Sequence, residues 1–77
     1  MAQKRDIETH YPKRQFIAKL RRLADVLEAD GKFRIQVAGE RVTVPSSAVI
    51  TIEHERSGSE EEIEFQLKWQ PEKSPNR

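Results

Sequence analysis

At Gly31 the spacing of the apolar residues changes, and no other feature of the sequence limits the fold as much. Before it, Phe16, Leu20, Leu23 and Leu27 recur four, three and four residues apart, with Ile17 and Ala24 on the flank of the stripe. That is the repeat of one face of an α-helix. After it, apolar residues fall on every second position, the repeat of a strand with one face covered and one face wet. A chain that switches once from the first period to the second is an α+β chain with its helix first.

The ends of the helix agree with its period. Pro12 suits the first helical position, where a missing N–H leaves nothing unpaired, and Gly31, after Glu28-Ala29-Asp30, is placed to take the left-handed conformation that closes a helix. Arg14, Ala18, Arg21, Asp25 and Glu28 fall on the opposite side as a mixed, solvated face, with Lys19 and Arg22 to one flank. Phe33, Ile35 and Val37 then alternate with Arg34, Gln36 and Ala38, and a Gly39-Glu40 connection leads to Val42 and Val44. Pro45 cannot donate to a ladder and ends that strand, while Ser46-Ser47 continue the turn. A third strand is expected from Ala48 to about Arg56, with Ile50 and Ile52 inward, followed by a Ser57-Gly58-Ser59 turn. The last strand sets Ile63, Phe65, Leu67 and Trp69 on one face against Glu62, Glu64, Gln66 and Lys68 on the other. Arg5 to His10 also alternates, through Ile7 and Thr9, and is read as a possible short edge strand.

The expected architecture is one amphipathic helix packed on one face of a four- to five-stranded, mainly antiparallel sheet. A single domain spans residues 6–70, with flexible termini at 1–5 and 71–77. In 77 residues without a cysteine, neither a disulfide staple nor a thiolate metal site is available. No apolar run serves as a signal peptide or a membrane span, so the expected location is the cytoplasm. The net charge of +1 is unevenly divided: Met1 to Val44 carries ten Lys and Arg against six Asp and Glu, and Pro45 to Arg77 four against seven. Such a split marks either a basic binding surface or two parts that attract each other or a partner copy.

With FIAKLRRLADVLEADGKFRIQV, GERVTVP and the terminal EIEFQLKW on the page, the chain resembles the amphi-Trp domain family of small bacterial and archaeal proteins. The resemblance runs from about Ile7 to Trp69. It implies a compact α+β domain, with no enzymatic activity and no catalytic residues to carry over.

The residues themselves contain no catalytic constellation. His10 and His54 are far apart in sequence and read as surface residues, and Ser46, Ser47, Ser57 and Ser59 belong to turns without a base beside them. Gly31, Gly39 and Gly58 are single punctuators, not a phosphate loop. Glu53, Glu55, Glu60, Glu61, Glu62 and Glu64 have the oxygen ligands a divalent cation uses, but carboxylates alternating on strands lack the convergent loop of such a site. No catalytic residue, cofactor or metal is expected. The function expected is a small binding module that associates with itself as a homodimer, or with another protein, because the core is small and a second copy would bury more apolar surface. The alternative is weak, non-specific nucleic-acid binding through Lys4, Arg5, Lys13, Arg14, Lys19, Arg21 and Arg22. Membrane docking by the helix is not expected, since its apolar stripe is needed by the sheet.

Overall fold

The structure, a computed structural model, describes residues 4–71. It is α+β, in the order α1 (Lys13–Glu28), β1 (Phe33–Val37), β2 (Glu40–Val44), β3 (Val49–Ser57) and β4 (Glu60–Lys68). Ladder bonds join β1 to β2 and β3 to β4, giving two two-stranded antiparallel sheets in place of the single sheet expected. The chain divides into two compact units, Met1–Ser46 and Ser47–Arg77. The flexible ends expected at 1–5 and 71–77 largely concern residues 1–3 and 72–77, which lie outside the described residues.

In the first unit, α1 starts one residue later than its sequence suggests. Pro12 is the N-cap, with an extended backbone (φ −59°, ψ 148°), and its carbonyl accepts the first helical bond from the Phe16 N–H at 3.0 Å. At the other end the left-handed residue is Asp30 (φ 59°), not Gly31. The Gly31 N–H reaches back to the Val26 carbonyl and the Asp30 N–H to the Leu27 carbonyl, both at 3.0 Å, which is the Schellman closure. The frame of that motif is set by where the helix stops, so the glycine adjoins the position it was expected to fill.

The β1–β2 hairpin is shifted in the same sense. Val37 pairs with Glu40, so the loop is Ala38-Gly39 and Glu40 belongs to the strand. Both loop residues have positive φ, 48° and 84°, as a type I′ turn requires to match the strand twist. The register places Phe33, Ile35 and Val37 on one face with Val44 and Val42 opposite them, and that face holds the buried core of the described residues, Phe33 and Val44. Helix α1 makes limited contact with β1. Its half-buried residues are Lys19, Leu23 and Val26, and the Arg22 guanidinium lies 4.5 Å over the Phe33 ring. The helix therefore leans on the hairpin by one edge of its stripe. Phe16, Ile17, Leu20 and Leu27 remain 36–50% exposed.

Residues 4–12 form no strand, contrary to the edge strand expected at Arg5 to His10. Their place is fixed instead by Arg5, whose guanidinium donates to the Val37 carbonyl at 2.8 Å and pairs with the Glu40 carboxylate at 2.7 Å. One arginine thus ties the preceding segment to the β1–β2 turn.

Candidate interaction surface

The second unit is the β3–β4 hairpin, whose composition places apolar residues on one face and carboxylates on the other. Its nine ladder pairs run from Val49↔Lys68 to Ser57↔Glu60. The loop is Gly58-Ser59, with positive φ (58°) at the glycine alone, as in a type II′ turn. Opposed residues share a face, so Ile50 and Leu67, Ile52 and Phe65, and His54 and Ile63 line up as three successive rows. The inward positions expected for Ile50, Ile52, Ile63, Phe65 and Leu67 do share one face. Ile50, Ile52, Ile63 and Phe65 on that face are 58–65% exposed.

The apolar rows are bounded at the turn end by ions. Glu61 lies opposite Arg56, and one of its carboxylate oxygens accepts from Arg56 Nη2 at 2.8 Å and lies 2.8 Å from His54 Nε2. At the open end the ladder runs toward the half-buried Trp69, which lines a shallow depression with Ser47, Val49, Lys68 and Gln70. The cluster of His54, Arg56 and Glu61 was missed in the sequence. The parity of positions 52, 54 and 56 carries the signal, since alternate residues of a strand must share a face.

The reverse face is acidic. Glu53 lies directly across from Glu64, and Glu55 from Glu62, an arrangement of like charges that weakens a sheet. Gln66 partly offsets it by donating from Nε2 to Glu53 at 3.0 Å and to Glu64 at 3.2 Å, while its own oxygen accepts from the Thr51 hydroxyl at 2.9 Å. The Glu62 charge, then loss of hydration, then a hydrogen bond with Glu62 and the charges of Glu53 and Glu55 hold the Glu64 carboxyl above the usual range. Among the described residues, no three His, Asp or Glu side chains converge so as to hold a metal ion.

The seven basic residues singled out in the sequence do not form one surface. Arg5 is bonded at the β1–β2 turn, Lys19 lies 5.0 Å over the Tyr11 ring, and Arg22 stacks on Phe33. Arg14 and Arg21 share the helix face that also carries Asp25 and Glu28. Lys13 belongs to another side of the first turn, and Lys4 is exposed ahead of the helix.

The described residues thus make an α+β chain of one helix and two hairpins, the second of them apolar on one face and acidic on the other. The chain belongs to the Amphi-Trp domain family, whose model matches residues 2–77. No curated protein and no solved structure matches it. Among the described residues, no helix is long and apolar enough to cross a membrane.

Proposed function

We propose that this protein is a binding module without catalytic activity, and that it works as a pair of identical copies joined through the apolar face of the β3–β4 hairpin. The observation that carries the reading is the exposure of Ile50, Ile52, Ile63 and Phe65 on one face of a two-stranded sheet. A two-stranded sheet is marginal in water by itself, and monomers rarely expose contiguous apolar patches larger than roughly 300–600 Å². A second copy offers the same face, and a two-fold contact between them is self-complementary by construction. In this reading, the covering of helix and sheet that the alternating sequence calls for is completed by assembly. The ionic cluster at the turn end keeps the rim polar, as an interface rim is.

Sedimentation velocity across the micromolar range tests the proposal. A two-fold mass that dissociates on dilution is expected, and Ile52→Glu or Phe65→Glu abolishes it, whereas Thr51→Lys on the reverse face leaves it intact. A single monomeric mass throughout rejects the reading. Weak nucleic-acid binding has less support, because Arg5, Lys19 and Arg22 already have partners and Arg14 and Arg21 share their helix face with Asp25 and Glu28.

A further inference from the structure

Of the four facing pairs on the apolar side of the β3–β4 hairpin, two are wholly apolar, the third sets His54 against Ile63, and the fourth sets Arg56 against Glu61. His54, Arg56 and Glu61 are therefore the titratable and charged groups that this side presents from either strand. One oxygen of the Glu61 carboxylate serves both of its neighbours: it accepts from Arg56 Nη2 and lies against His54 Nε2, each at 2.8 Å. Because a carboxylate only accepts, the neutral imidazole donates its Nε2–H to that oxygen, and the charges of Arg56 and Glu61 cancel. A proton added at Nδ1 leaves the cluster with one positive charge in excess.

We infer that His54 makes the self-association respond to pH: the hairpin face is held by its partner copy while the imidazole is neutral and released when it is protonated. The inference rests on the proposed pairing through this hairpin and adds its regulation. Position is the argument. His54 stands between the Ile52 row and the Arg56–Glu61 pair, so a cover that reaches Ile63 also takes water from the imidazole. A charge-balanced cluster costs less to desolvate than one with an unmatched cation, and each copy brings one such cation to a two-fold contact. Imidazole is the side chain whose charge ordinarily changes between about pH 5 and 8. That of His54 is 46% exposed, so protons reach it from solvent. The protonated form is thus favoured in the separate copies, and pairing strengthens as pH rises through the imidazole range. The other histidine, His10, lies in the first unit.

Sedimentation velocity at about pH 7.5 and about pH 5.5, at equal ionic strength, reads the switch. The parent dimer should be roughly tenfold weaker at the lower pH. His54→Gln, which keeps an N–H for Glu61 without a titrating group, should pair equally at both, and His54→Lys, which fixes the charge, should pair weakly at both. A parent dimer as tight at the lower pH as at the higher, or a His54→Gln chain that keeps the parent's pH response, overturns the inference and leaves the hairpin contact standing. A chain that is monomeric at both pH values overturns both.

Discussion

Asp30 and Ala38 hold backbone conformations that glycine adopts at less cost. Each has positive φ, 59° and 48°, where a β-carbon crowds the following carbonyl. Asp30→Gly and Ala38→Gly should therefore each stabilise the first unit by about 0.5–1 kcal/mol, after allowing for the added freedom of glycine in the unfolded chain. Chemical denaturation followed by circular dichroism checks both, and a lowered midpoint for either would contradict the left-handed assignment. These two residues also mark where sequence alone stops. Gly31 and Gly39 announce a helix end and a turn, but Asp30 and Ala38 carry no sign of the conformation that their neighbours' positions in the frame impose on them. Arg5 is a similar case: its guanidinium is long enough to join Glu40 and the Val37 carbonyl, a link that no local periodicity encodes.

At the scale of the element, the charges of α1 oppose its dipole. Lys13 and Arg14 occupy the first turn and no acidic residue does, while the last turn has no base. Lys13→Glu should raise thermal stability by about 0.3–1 kcal/mol at low salt, with the gain shrinking as salt is added; a gain indifferent to salt would point to another cause. The β3–β4 hairpin has the opposite imbalance, carboxylates facing carboxylates. Glu64 binds its proton more tightly folded than unfolded, so its contribution to stability is full in acid and is lost as pH rises through the raised value. Glu64→Gln should be more stable than the parent at neutral pH, and melting as a function of pH should show a smaller gain on acidification. Equal pH slopes in the two proteins would exclude Glu62 and Glu64 as the source. The faces of all four strands were legible because alternation fixes them. The number of sheets was not, since alternation says which side a residue points to and nothing about which strand lies beside it.

For the whole molecule, the apolar residues of the candidate surface were legible but their exposure was not. Hydrophobic pattern identifies Ile50, Ile52, Ile63 and Phe65 as surface to be covered without naming the cover. If a second copy supplies it, folding and association are linked, and the melting temperature must climb with protein concentration; a melting temperature constant across a hundredfold dilution, about the range such linkage needs to show clearly, argues against pairing. The partition into Met1–Ser46 and Ser47–Arg77 has a practical corollary. Tyr11, the sole phenol, stands beside Lys19 in the first unit, and Trp69, the sole indole, ends the second. Nature has thus put one chromophore in each half, and their absorbance and emission can be followed separately through a single melt, telling whether the two halves unfold in one step or two.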